Sequence, residues 1–136
     1  MILTSSNFLF SQQKSPEALV DSFFVIFKKE SIEKSIDYIT STNSYMLQAK
    51  ETIDAIKQKL LKSLPMIGKY YGYDIYSKKE LGDTYSQIKC LLKYDRQPVI
   101  MTFIFYKPDN KWKLQNILFE DKLDNDIANQ PNLKAK

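Results

Sequence analysis

Residues 85–119 read YSQIKCLLKYDRQPVIMTFIFYKPDNKWKLQNILF, and this stretch decides the fold. Two clusters of turn formers break it: Asp95-Arg96-Gln97-Pro98 and Pro108-Asp109-Asn110-Lys111. Asp, Asn and Pro favour tight reversals because they bond to their own backbone or pre-set its angles. The segment before the first cluster, 84–94, alternates apolar and polar side chains at the strand period. The segment between the clusters, 99–107, is almost continuously apolar, and the last, 112–119, opens on Trp112-Lys113-Leu114. Three antiparallel strands in a meander are predicted, with 99–107 in the interior of the sheet because both of its faces need cover.

Two-residue loops at both turns would fix the register. Tyr94 would then face Val99, Leu92 Met101, Cys90 Phe103 and Ile88 Phe105. Across the second turn Phe105 would face Leu114, Phe103 Asn116 and Met101 Leu118. Opposed residues share a face, so one side carries these apolar residues together with Trp112, and Asn116 is its polar intruder at mid-sheet. The other side carries Gln87, Lys89 and Lys93, then Ile100, Thr102, Ile104, Ile117 and Phe119. Ile100, Ile104, Ile117 and Phe119 are predicted to form an exposed stripe too apolar to remain in water. A homodimer formed sheet to sheet would bury it twice; a fold-back of residues 1–10 or of the C-terminal tail would also cover it.

Upstream the period changes to that of a helix. Ser15-Pro16-Glu17 is a strong helix start, with a capping serine, a proline at the first helical position and an acid near the positive end. Leu19, Val20, Phe23, Phe24 and Phe27 follow on one stripe. A second helix begins at Ser31 and turns Ile32, Ile36 and Ile39 inward. A third covers about 47–64 with Ile53, Ile56, Leu60 and Leu64 inward, and Pro65 stops it. Residues 69–76 alternate again: Tyr71, Tyr73 and Ile75 against Tyr70, Gly72, Asp74 and Tyr76, giving a first strand. The fold class is therefore α+β, three N-terminal helices packed on a curved antiparallel sheet of about four strands. One domain spans 15–121, flanked by an arm or signal remnant at 1–14 and a polar tail at 122–136.

The chain of 136 residues, 43% hydrophobic and 13% aromatic, is long enough to bury a core. Nine tyrosines and eight phenylalanines suit a sheet packed under helices or rings lining a cavity. The net charge is +4, but the lysines are interleaved with acids, as in Lys28-Lys29-Glu30 and Lys78-Lys79-Glu80. That spacing reads as a solvated surface rather than a nucleic-acid footprint. No apolar run is long enough to span a membrane. Residues 1–13 resemble the end of a secretory signal without its basic region, which favours a periplasmic or secreted location over the cytoplasm; no lipobox cysteine is present there.

The single cysteine, Cys90, lies within a strand and reads as a small buried hydrophobe. No histidine is present, which removes the commonest general base and zinc ligand and every Ser-His or Cys-His mechanism. No metal site and no cofactor is expected.

Three helices followed by a bent antiparallel sheet resemble the nuclear-transport-factor-2-like superfamily, the cone-shaped cystatin-like α+β fold. The residues that carry the resemblance are Ser15-Pro16-Glu17-Ala18-Leu19-Val20 opening the first helix and Asp109-Asn110-Lys111-Trp112-Lys113-Leu114 opening the last strand. It covers 15–121. The resemblance implies a cavity between helices and sheet, dimerisation through the outer sheet face, and functions that range from small isomerases and dehydratases to binding or accessory domains, often exported.

The dehydratase-type members rely on histidine, and this chain has none. The expectation is a non-catalytic domain that binds a small apolar or amphipathic molecule in an aromatic cavity lined by Asn116, Phe103, Tyr94, Phe24 and Phe27. Two alternatives stand beside it. One is a histidine-free isomerase using Asp37 or Asp74 as base with Tyr38, Tyr71 or Tyr94 as donors. The other is a structural interaction module whose own rings fill the cavity.

Overall fold

Ser15 opens the fold as the sequence predicts. In the computed structural model, which describes residues 14–122 and Ile127, its hydroxyl accepts the Ala18 N–H at 3.1 Å. Pro16 takes the first turn, where a missing N–H is harmless, and α1 (Pro16–Lys29) follows. Ser31 caps α2 (Ile32–Thr40) in the same way, accepting the Lys34 N–H at 3.1 Å. A single-turn α3 (Ser44–Leu47) precedes α4 (Lys50–Ser63), and Pro65 lies in a 3-10 turn (Leu64–Ile67). The predicted third helix is thus α4, shorter at its start, with one extra turn ahead of it. Asn43 explains that turn. Its Oδ1 accepts the Tyr45 N–H at 2.9 Å and starts a helix at 44.

Four strands follow: β1 (Tyr70–Leu81), β2 (Tyr85–Tyr94), β3 (Val99–Tyr106) and β4 (Lys113–Glu120). They form one antiparallel sheet in the order β1-β2-β3-β4. The molecule is α+β with its helices N-terminal to the sheet, and β3 is an interior strand as expected. Phe23, Ile36, Ile39 and Leu60 from the helices meet Ile88, Leu92, Met101, Phe103, Phe105 and Leu114 from the sheet, all at 1% exposure or less. Full burial of each such side chain is worth about 1.5–3 kcal/mol, so this layer holds the fold. Thr42 and Asn43 fasten β4 to the helices. Thr42 Oγ1 accepts the Leu114 N–H at 2.9 Å, and Asn43 Nδ2 donates to the Leu114 carbonyl at 2.8 Å.

The first hairpin departs from the predicted register by two residues: Leu92 faces Val99, Cys90 faces Met101 and Ile88 faces Phe103. The loop is longer because Asp95 and Arg96 are engaged elsewhere. Their backbone N–H groups donate to the Lys69 and Ile67 carbonyls, each at 2.9 Å. Pro98 has no N–H to extend the ladder. A shift of two preserves the parity, so every residue of β2 keeps its predicted face.

The second hairpin starts in the predicted register, with Phe105 opposite Leu114, and then shifts by one residue. Gln115 and Asn116 together oppose a single position, a β-bulge. Asn116 Oδ1 accepts the N–H of Ile117 at 2.8 Å, a local bond that competes with the ladder and supports the bulge. Beyond it every side chain changes face. Asn116 is exposed beside Ile104 instead of buried among the rings, Ile117 is buried in the helix-side core at 6% exposure, and Leu118 is turned out at 42%. Phe119 packs partly buried against that core.

The exposed stripe predicted for a dimer is therefore not formed. Ile117 and Phe119 lie on the helix side, Ile100 is 1% exposed and Ile104 is half-buried. Residues 1–13 and almost all of the predicted tail, including the proposed signal remnant, lie outside the described residues. No helix among the described residues is long and apolar enough to cross a membrane.

Candidate functional site

A second bulge, at the start of β1, builds the most distinctive surface. Tyr70 pairs with Tyr94 and Gly72 with Lys93, leaving Tyr71 as the extra residue. Gly72 adopts φ +132°, a region that side-chain-bearing residues rarely enter. Strict alternation would turn Tyr71 and Tyr73 the same way. With the bulge, Tyr70 and Tyr73 both pack against the helix-side core while Tyr71 is 60% exposed. A glycine between tyrosines inside a strand pattern was the available signal for this bulge.

Across from these tyrosines stands the aromatic stripe of α1. Tyr73 stacks on Phe24 at 3.9 Å between centroids and 19° between planes. Phe27 meets Tyr70 edge to face at 4.8 Å. Behind them Phe23 closes on Phe103 at 5.0 Å and Phe24 on Phe103 at 5.9 Å. The rings thus occupy the space between helix and sheet, and the open volume lies at the mouth. It is a groove of about 930 Å³ between α1 and the start of β1. Phe24, Phe27, Tyr70 and Tyr73 form its aromatic lining, Val25 and Tyr71 its exposed apolar rim, and Lys28, Lys69 and Lys93 bring cations.

One polar pair lies inside it. The Tyr73 hydroxyl donates to Asp21 Oδ1 across from α1. Burial, then this bond to a carboxylate, pushes the Tyr73 phenol well above the ordinary tyrosine value. Burial likewise lifts Tyr70 to about 12, with a smaller contribution from Cys90. Lys69 lies 5.3 Å over the Tyr71 ring, and Lys93 is held by Asp74 at 3.5 Å.

The predicted site residues separate. Phe24 and Phe27 line the groove. Phe103 stands fully buried behind it, and Tyr94 lies one ring deeper, 5.3 Å from Tyr70, beside a smaller hollow of about 220 Å³ shared with Phe27. Asn116 belongs to the opposite end of the sheet and takes no part.

The acids considered as bases are committed elsewhere: Asp37 to Lys57 at 2.6 Å and Asp74 to Lys93. Tyr71 donates to Asp95 at 3.3 Å, and the Tyr38 hydroxyl receives Lys14 Nζ at 3.3 Å. The pair that sequence reasoning missed is Asp21 with Tyr73. Asp21 is one turn from Phe24 on α1, but only the β1 bulge brings Tyr73 opposite it. Cys90 is fully buried, and burial raises its thiol to about 12. Among the described residues no group of three His, Cys, Asp or Glu side chains could hold a metal ion.

Comparison with known protein families, curated proteins and solved structures returns no match.

Proposed function

We propose that this chain is a non-catalytic binding or accessory domain that holds a small amphipathic molecule in the groove between α1 and β1. The observation that carries the reading is the Phe24–Tyr73 stack at the floor of an open groove whose rim carries lysines. Sites for small molecules are mostly apolar with a few placed polar groups. Here the rings would take the apolar body, Asp21 with Tyr73 would meet a hydroxyl or amine, and the lysines would meet an acidic end.

Val25 and Tyr71, exposed at 51% and 60%, favour one second reading. Apolar side chains left open at a groove's rim also suit a side chain of a protein partner. The isomerase alternative now rests on Asp21 with Tyr73, since Asp37 and Asp74 are paired with Lys57 and Lys93.

The test is fluorescence titration with anilinonaphthalene sulfonate, an amphipathic probe. Val25→Asp alters the rim at an exposed site and leaves the core intact. The reading expects saturable binding that this substitution weakens by about tenfold or more, equivalent to about 1.4 kcal/mol. Equal affinity for both proteins rejects the groove as the site.

A further inference from the structure

At the other end of α1 lies a separate hollow of about 600 Å³. It is lined by Lys14 before the helix, Leu19 within it, Lys107 at the end of β3, and Lys111 with Trp112 in the turn to β4. Three cations line it, Lys14 ahead of α1 and Lys107 and Lys111 in the connection from β3 to β4, and among the described residues no carboxylate does.

Several lysines elsewhere on the surface are neutralised by acids. Lys34, Lys57, Lys78 and Lys93 each hold an acid. Among the described residues none of Lys14, Lys107 or Lys111 pairs with a carboxylate. The two acids of α1 flanking Leu19 are engaged elsewhere, Glu17 by Lys78 and Asp21 by the Tyr73 hydroxyl.

Two of the three lysines are positioned. Lys14 Nζ donates to Ser22 Oγ at 2.8 Å and lies 5.6 Å from the centre of the Tyr38 ring. Lys107 Nζ lies 5.0 Å from the centre of the Trp112 ring. That ring is half-buried and is the only indole in the chain. Leu19, at 5% exposure, closes the apolar side.

We infer that this hollow binds a planar aromatic acid. Its carboxylate would settle among Lys14, Lys107 and Lys111, and its ring would lie against Trp112 and Leu19. The physical reason is twofold. Convergent like charges repel one another, and an anion relieves that repulsion. An indole already beneath a cation offers a flat apolar surface at the same place. A volume of this size is ordinary for a small-molecule site. The inference is independent of the reading of the α1–β1 groove, because the two places share no lining residue.

Trp112 supplies its own reporter. A proton–nitrogen correlation spectrum of the chain contains one indole signal, since there is one tryptophan. Titration with naphthoate is expected to shift that signal saturably, with a dissociation constant below about 10 mM. Neutral naphthamide is expected to bind at least about tenfold more weakly. The double variant Lys107→Gln/Lys111→Gln changes two surface side chains, and its backbone signals report whether the fold is kept. It is expected to lose the same factor for naphthoate, with the loss shrinking as salt is added, because exposed charges are screened.

The inference is overturned if naphthoate gives no saturable shift, if naphthamide binds equally well, or if the double variant binds with unchanged affinity. A variant that failed to fold would be replaced by Lys14→Gln, judged by the same three outcomes.

Discussion

The hydroxyl of Tyr73 and the carboxylate of Asp21 are hydrogen-bonded across 52 residues of sequence, and this bond ties the middle of α1 to the first strand at the floor of the groove. Tyr73→Phe removes the bond and leaves the ring stacked on Phe24. The expected loss is about 1.5–3 kcal/mol, the net value of a hydrogen bond to a charged group. Urea denaturation measures it. A loss above about 3 kcal/mol would mean that the stack itself had been disturbed.

The raised phenols give stability a sign in alkali. Tyr70, Tyr73 and Tyr94 all titrate above the ordinary value of 10.0 in the fold. The unfolded chain therefore releases these protons first, and stability falls as pH rises. Their contribution is fully present below about pH 10 and is lost as the pH climbs toward the folded values, about 12 for Tyr70. Urea midpoints between neutral pH and pH 11 should decline only above about 10, and Tyr73→Phe should soften the decline. A midpoint flat through that range contradicts the burial of these rings.

The β4 bulge separates two neighbours. Ile117→Ala deletes buried methyl groups and should cost about 2–5 kcal/mol. Asn116→Leu removes an exposed side chain whose one bond is to the next residue, and should cost about 1 kcal/mol or less. If the two costs were reversed, the strand would follow unbroken alternation and Asn116 would lie inside.

Gly72→Ala places a side chain where φ is +132°. The space is open, since the added carbon would meet only Lys93 Cε at 3.9 Å. The expected loss of about 1–3 kcal/mol is therefore conformational. It should be accompanied by weaker probe binding in the groove, because the bulge is what sets Tyr70 and Tyr73 side by side.

Ser86 lies fully buried on the helix side of β2, and its hydroxyl has no partner among the described residues. A buried hydroxyl without a bond opposes folding by about 1–3 kcal/mol. Ser86→Ala should thus be neutral or stabilising, with a thermal midpoint at or above that of the unsubstituted chain. A marked loss would reveal a bond to that oxygen.

Class and order of elements were legible because they rest on local chemistry. Ser15-Pro16 and Ser31 start helices by capping, the stripe from Leu19 to Phe27 has the helical period, and 99–107 is apolar on both faces. The site was legible only in part. Phe24 and Phe27 lie on a helix, where spacing fixes direction. Tyr70, Tyr73, Asn116 and Ile117 lie on strands, where one extra residue reverses every later side chain. Periodicity cannot locate that residue, although Gly72 and Asn116 each mark the place. The first hairpin failed differently. Asp95 and Arg96 are held by carbonyls at Lys69 and Ile67, which are remote in sequence, and no local rule for turns contains that contact.

The bulge at Gln115 also sets how the chain can change in length. A substitution at this exposed residue would leave the phase of β4 intact. Its deletion would return the strand to simple alternation with Leu114, Ile117 and Phe119 still facing the core and Asn116 and Leu118 still facing outward. One missing codon there would remove only the extra residue, whereas a missing codon at Ile117 would exchange the core-facing and solvent-facing residues after it. A single-residue deletion should therefore be far better tolerated at Gln115 than two residues further along the same strand, although both shorten β4 equally.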